Sequence, residues 1–199
     1  MAIWQVARGR RITLERNSCI MGIVNITPDS FSDGNKNLHM HDALNSIQTL
    51  SREGADIIDI GGESTRPNAT ALSPHEEQQR ILPVLDTLKK QDKIIVSVDT
   101  YHSETALAAL ERGAHIINDV FGLQYDPVIA EITASYGAGI VIMHTNRNRT
   151  PLADPIDDQK AFFTTSLKLA QKAGIKEANI VLDPGFGFGK DAALNIKLF

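Results

Sequence analysis

The chain has 199 residues, 42% hydrophobic and 22% charged, with a formal net charge of −4, the balance of a soluble globular domain with one sizeable core. Its basic residues form no long block, the densest group being Arg8, Arg10 and Arg11; this argues against a mainly electrostatic nucleic-acid binder, and no apolar stretch reaches the roughly 18 residues of a membrane span. A single cysteine, Cys19, excludes an internal disulfide and any cysteine-cluster metal site, and with no signal-peptide pattern at the start the expected location is cytoplasmic.

The opening segment IWQVARGRRITLE alternates around an Arg-Gly-Arg turn. It predicts a β-hairpin of Ile3–Val6 with Arg11–Leu14. Next comes CIMGIVNITPDSFSDG, Cys19 to Gly34. Its apolar run, Ile20 to Val24, predicts a strand buried on both faces, as in a parallel sheet, with Cys19 a buried, inert thiol. The polar stretch from Asn25 to His39 predicts a long loop leaving the strand's C-terminal end. Five further apolar runs follow: Ile57–Ile60, Ile94–Val98, Ile116–Ile117, Gly139–Met143 and Ile180–Leu182. Helical patterns lie between the runs, near Met40–Glu53, Pro74–Lys90, Ser103–Arg112, Pro127–Tyr136 and Ile156–Lys172. Gly54, Gly113, Gly137 and Gly174 stand where helices would stop before the next strand. Ser73-Pro74-His75-Glu76-Glu77 sets a cap, a first-position proline and first-turn acids.

This is a βα unit repeated six times, which predicts a parallel α/β fold. A doubly wound sheet and a (β/α) barrel both fit. No G-x-G-x-x-G follows the first strand of the repeat, which weakens a dinucleotide site. The GFGFGK of Gly185–Lys190 follows the sixth strand with its glycines two apart, and no Ser or Thr follows Lys190, so it is not a P-loop.

The six strands end in Asn25, Asp59, Asp99-Thr100, Asn118-Asp119, His144 and Asp183. Singly, such residues are usually caps or turn formers. In a barrel, all six converge on the mouth where α/β enzymes do their chemistry. Carboxylates and amides with few cations suit a neutral, donor-rich heterocycle, since a carboxylate accepts two parallel N–H bonds from an amino-pyrimidine edge. Phe186 and Phe188, among glycines, could stack on such a ring. Asn25, with Asp29 and Asp33, could hold a hard, oxygen-seeking ion such as magnesium. The histidines show no metal spacing: His39 and His41 are two apart and His144 stands alone, so zinc is not expected.

At these residues the chain resembles the bacterial dihydropteroate synthases, through MGIVNITPDSFSDG (21–34), DIGGESTRP (59–67), SVDT (97–100), IND (117–119), MH (143–144) and DPGFGFGK (183–190). The resemblance implies a (β/α)8 barrel of TIM type behind an N-terminal hairpin. It implies a magnesium-dependent transferase of folate biosynthesis, a target of sulfonamides. That enzyme joins a 6-hydroxymethyl-dihydropterin diphosphate to p-aminobenzoate, giving dihydropteroate and pyrophosphate. It assigns Asn25 to the magnesium site and Thr65, Asp99, Asn118 and Asp183 to the pterin. Phe31, Thr65, Arg66 and Pro67 fall nearest p-aminobenzoate, and Met143 and Phe188 complete the substrate-binding set. Asp99 and Asp183 are the expected catalytic pair, stabilising the positive charge left on carbon as diphosphate departs. An ionising SN1-like path is inferred, with a looser SN2 path left open. A homodimer is implied, with no nucleic-acid or membrane partner.

Two features depart from that pattern. The segment TNRNRTPLADPIDDQ after His144 lacks the family's commoner glycines; its Arg147 and Arg149 are expected in a solvated loop, ahead of a role at the diphosphate. Six strands at roughly 32-residue spacing project to about 250 residues for eight units. Residues 1–199 are therefore expected to be one pterin-binding barrel domain that is incomplete at its C-terminal side, with Phe199 inside the sixth helix. The competing readings are a methyltetrahydrofolate methyltransferase-like barrel and a non-catalytic pterin-binding fragment.

Overall fold

Apolar runs and helical segments alternate in three dimensions as they do in sequence. The structure, a computed structural model, describes residues 2–14, 18–26, 36–63, 71–89 and 94–199. An antiparallel hairpin, β1 (Ala2–Gln5) and β2 (Arg11–Leu14), sets Ala2 opposite Leu14 and Gln5 opposite Arg11. Then follow β3 (Met21–Asn25), α1 (Lys36–Arg52), β4 (Ile57–Gly61), α2 (Pro74–Leu88), β5 (Ile95–Asp99) and α3 (Ser103–Glu111). The rest is β6 (Ile116–Asp119), α4 (Val128–Tyr136), β7 (Gly139–Met143), α5 (Pro155–Ala173), β8 (Ile180–Asp183) and α6 (Ala192–Leu198). β3 to β8 form one parallel sheet in strictly sequential order. A doubly wound sheet would reverse its order at a switch point; the unbroken sequence is that of a (β/α) barrel, here as six units with β3 and β8 at the edges among the described residues.

Local chemistry accounts for the element ends. Gly54, Gly113, Gly137 and Gly174 have φ of 105°, 107°, 57° and 87°, the left-handed conformation that stops a helix. Ser73 and Glu76 form a reciprocal capping box at α2, and Asp154 accepts from the Ile156 and Asp157 amides at the start of α5. The first helix starts at Lys36 rather than near Met40, so the polar segment after β3 is shorter than expected. The last helix carries its hydrogen bonding to Phe199, whose amide donates to the Asn195 carbonyl at 3.1 Å. Among the described residues, no helix is long and apolar enough to cross a membrane.

Strand alternation builds two cores. Ile58, Ile60, Val96, Val98, Ile117, Ile140 and Ile142 face the helices and pack with Ile81, Leu85, Leu110 and Ile129. On the other face Ile57, Ile95, Ile116 and Val141 pack with Trp4, Val6 and Ile12 of the hairpin. The hairpin therefore plugs the N-terminal end of the sheet's concave face. Trp4 Nε1 donates to the Asn179 carbonyl at 2.9 Å, while Asn179 Nδ2 donates to the carbonyls of Gly137 and Ala138 at 3.0 and 3.1 Å. Gly139 lies beneath this contact; a Cβ there would come within 2.9 Å of Val6 Cγ1.

Two expectations are corrected here. β3 is buried on one face only: Gly22 and Val24 are buried, whereas Ile23 is 65% exposed. The face toward α1 is closely packed, Leu50 lying against Gly22, while on the other face Met21 packs at the edge of the hairpin cluster. Cys19 precedes the strand and is half-buried rather than buried. Burial, and then the neighbouring Asp56 carboxylate, push its pKa up, so it stays a protonated thiol of low reactivity.

Trp4 anchors the plug, so Trp4→Ala should lower the unfolding free energy by about 3–5 kcal/mol. Urea denaturation measures this, and a change below about 1 kcal/mol would mean that the hairpin is not part of the cooperative core.

Candidate active site

The parallel register assembles the site. Asn25 lies opposite Gly61, Gly61 opposite Asp99, and Asp99 opposite Asn118. Partners in one row point the same way, so four successive strand ends present one polar row on the concave face. Gly61 contributes by having no side chain. A Cβ there would lie 2.9 Å from Asn25 Oδ1 and 3.7 Å from Asp99 Oδ2, so its absence leaves room for the amide beside the carboxylate. Asp59 lies two residues before Gly61, hence on the same face and lower in the crevice, with Ser97 opposite it. Across the sheet, Met143 pairs with Asp183.

Asn118 Nδ2 donates to Asp59 Oδ2 at 2.9 Å. The Oδ1 atoms of Asp59 and Asn118 are buried without a hydrogen-bond partner. Burial pushes the Asp59 carboxyl up, while Ser97 and Asn118 pull it back. Asp99 is held well above the usual carboxylate range, first by burial and then by Asp59, Glu77, Asp119 and Glu63. Such a cluster favours N–H donors or positive charge arriving in the crevice, since either stabilises the ionised carboxylates.

The β8–α6 turn forms the other wall. Asp183 Oδ1 accepts from the Gly185 amide at 2.7 Å, which fixes one carboxylate oxygen. Gly185, Gly187 and Gly189 have φ of 63°, 83° and 70°, so the turn winds through conformations that favour glycine. Phe188 is half-buried, with the Arg147 guanidinium 4.8 Å over its ring. Met143 is only 2% exposed and lies under Gly185, a floor of the site rather than an open surface. Phe186 is 44% exposed and its ring centroid is 6.3 Å from that of Phe199.

Two strand-end groups, His144 and Asp119, point elsewhere, as does Arg149 of the segment after β7. The His144 ring is buried against α5, with Nε2 2.9 Å from Asp158 Oδ2. Arg149 donates to both Asp158 oxygens at 2.7 and 2.6 Å and stacks over Phe162. This corrects both readings of Arg149: it is neither solvated nor available to a diphosphate. The Asp119 carboxylate is fully buried and accepts from the Phe121 and Leu123 amides, a turn-forming role away from the crevice.

Phe31, Thr65, Arg66, Pro67, Asp29 and Asp33 lie outside the described residues. The stem of the segment that carries Thr65–Pro67 is described, and Glu63 ties it. Its carboxylate accepts from Tyr101 Oη at 2.8 Å and from the Leu72 amide at 3.1 Å. Sequence reasoning did not place this Glu63–Tyr101 tie or the partnership of Asp59 with Asn118. Strand periodicity carries a signal for Asp59, two residues from Gly61. None marks Tyr101, and the DPGFGFGK motif names Lys190 without showing that its ammonium is buried behind the β8–α6 turn. Among the described residues, no group of three His, Cys, Asp or Glu side chains is arranged to hold a metal.

Residues 21–199 match the family of pterin binding enzymes. The chain is 42% identical over 188 residues to dihydropteroate synthase from Streptococcus pyogenes, an alignment covering 94% of this chain and 70% of that protein. It is 43% identical over 179 residues to the Bacillus subtilis dihydropteroate synthase, covering 90% and 62%. Among solved structures, the Clostridium difficile dihydropteroate synthase with pteroic acid superposes with a TM-score of 0.88 at 42% identity, over 92% of this chain and 70% of that one. The Xanthomonas albilineans synthase with 4-aminobenzoic acid gives 0.89 at 40%, over 98% and 71%. The Yersinia pestis synthase with a sulfonamide drug complex gives 0.84 at 38%, over 96% and 71%.

Two histidines outside the crevice should titrate on opposite sides of the ordinary value of 6.5. His102 is raised by its contact with the buried Glu77 carboxylate, 3.2 Å away. Its contribution to stability is therefore full below 6.5 and lost as pH rises through the raised pKa. His144 is lowered by burial, and a proton on its unpartnered Nδ1 would find no acceptor. It therefore destabilises the fold as pH falls from 6.5 through its own lower pKa. Imidazole proton shifts should follow this order, and Glu77→Gln should bring the His102 midpoint down without moving His144.

Proposed function

The chain belongs to the dihydropteroate synthase family, and we propose from that premise how its residues divide the family's reaction. As a transferase of this family, it joins a 6-hydroxymethyl-dihydropterin diphosphate to p-aminobenzoate, releasing pyrophosphate. The observation that carries the assignment is the polar row Asn25–Gly61–Asp99–Asn118 facing Asp183 across the sheet.

The amino-lactam edge of the pterin is donor-rich and suits Asp183, whose second carboxylate oxygen remains for it. Asn118 supplies an acceptor, because its amide nitrogen is committed to Asp59 and its oxygen is unpartnered. Phe188, at the tip of the glycine turn, is placed to stack on a ring. As the bond from methylene carbon to diphosphate oxygen breaks, positive charge spreads from that carbon into the pterin. Asp99, crowded by other carboxylates, is stabilised by that charge, which lowers the barrier electrostatically. The arylamine is neutral at pH 7 and attacks the carbon directly, so no strong base is needed beforehand. Thr65, Arg66, Pro67 and Phe31 are proposed to hold p-aminobenzoate, with the Glu63–Tyr101 tie fixing one stem of that surface. Sulfonamides, which share the aminobenzene geometry, should compete there.

Asn25 fits a magnesium site as one member of a sparse ligand set. Its Oδ1 stands over the bare Gly61 at the open end of the row. A small hard ion takes one or two protein oxygens and fills its shell with water and phosphate oxygens. Bound there, the ion would neutralise charge on the departing diphosphate.

Incubation with both substrates and magnesium should yield dihydropteroate and pyrophosphate together, followed by chromatography. Pterin binding without turnover would instead favour the non-catalytic alternative. Asp183→Asn keeps an acceptor for the Gly185 amide but loses the charge; it should weaken pterin binding by about 1.5–3 kcal/mol in calorimetry. Unchanged affinity would reject Asp183 as the pterin anchor. Asn25→Ala should weaken binding of the diphosphate substrate only when magnesium is present, sparing a pterin without diphosphate.

A further inference from the structure

Lys190 is 7% exposed, and its ammonium serves three backbone carbonyls. They are Gly185 O at 2.6 Å, His144 O at 3.2 Å and Phe188 O at 3.3 Å. Three N–H donors meet three acceptors, which exhausts the group's capacity. Among the described residues no carboxylate forms an ion pair with it, so the direct contacts of this buried charge are all peptide carbonyls. The acceptors come from two places: the end of β7 and the turn after β8. The two segments touch closely, because a Cβ on Gly185 would collide with the His144 carbonyl. Gly185 is the hinge between Lys190 and the crevice. Its carbonyl accepts from Lys190, while its amide donates to Asp183 Oδ1.

We propose that Lys190 is a positioning residue: its ammonium pins the Asp183–Lys190 turn to β7 and so fixes Asp183 and Phe188 where the pterin meets them. This rests on the pterin-site reading above. The turn has other ties: the Arg147 guanidinium lies over the Phe188 ring, and Asn146 donates through its amide to Phe188 O and through Nδ2 to Gly189 O. Gln159 donates to Pro184 O, Gly187 donates to Asn195 Oδ1, and Asn195 donates to Lys190 O. The ammonium joins the His144 carbonyl at the end of β7 to two carbonyls within the turn, Gly185 O and Phe188 O. Losing its proton would leave two N–H groups for three carbonyls.

The surroundings allow that loss in an accessible range. Burial brings the ammonium down to about 8, with Arg149 adding to the fall and Asp183 and Asp158 opposing it. The charged groups that face the ammonium are the Asp183 and Asp158 carboxylates and the Arg149 guanidinium. The His144 ring, turned toward Asp158, titrates below 6.5. A transition near pH 8 at these carbonyls is assigned to Lys190 by its loss in Lys190→Met.

The test follows the carbonyl carbon shifts of His144, Gly185 and Phe188 by carbon-detected NMR, without ligand, from pH 7 to 9. The three should move together with a midpoint near 8 in the wild-type chain, and Lys190→Met should abolish the step. Three flat or unlinked titrations overturn the clamp, and this arm needs no variant to fold. A second arm measures pterin affinity at a single pH of about 6.5, where the ring's own ionisation is common to all samples. Lys190→Met should bind at least tenfold more weakly, yet add little further loss in an Asp183→Asn background. Full additivity, or wild-type affinity in Lys190→Met, overturns a role through Asp183. A wild-type chain that binds no pterin sinks the function proposed above, while the ligand-free titration still decides the clamp.

Discussion

Everything at the crevice depends on the register of four parallel strands. Parallel pairing places residues of one row on one face, and a slip of a single residue sends each side chain to the opposite face. Asn25, Gly61, Asp99 and Asn118 share a row because β3 to β6 are aligned by their apolar residues below. Met21 pairs with Ile57, and Ile57 with Ile95. The apolar packing around Trp4 thus fixes the height at which the polar groups emerge. Binding chemistry and core packing are successive turns of the same strands, and neither can be shifted alone.

The polar row is an energetically strained place to put carboxylates. Asp59 and Asp99 lie close together with their pKa values raised, and two buried oxygens have no partner. A stability-driven arrangement would satisfy or remove such groups. Their persistence beside a bare glycine and a half-buried phenyl ring marks a surface built to be completed by a ligand. The contrast with Asp158 is instructive. That carboxylate is equally buried, yet it is saturated by Arg149, His144 and the Leu152 amide, and it serves the fold.

Much of this was legible in the chain. Glycine stops, the Ser73 cap and the six apolar runs gave the repeat, and the strand-end residues gave the mouth. What failed did so for identifiable reasons. A run such as Ile20–Val24 looks the same whether one face or two are covered, because composition does not record which neighbours a strand has. His144 and Asp183 both end strands, but residue order alone did not say that one faces the helices and the other the crevice. Lys190 stands in the DPGFGFGK motif, but its role was not readable there, since its partners are carbonyls, which every residue has. The Glu63–Tyr101 contact spans 38 positions and has no periodicity to betray it.

Three glycines, at 61, 139 and 185, each stand where an added methyl group would crowd a neighbour: the Asn25 amide, the Val6 side chain and, least able to yield, the His144 backbone carbonyl. They freeze the crevice at its rim, its floor and its far wall. Heritable change in ligand preference is thereby channelled into the connecting segments, where side chains can be exchanged without disturbing the strands. The scaffold is conservative by geometry, and its loops are where such a protein has freedom to evolve.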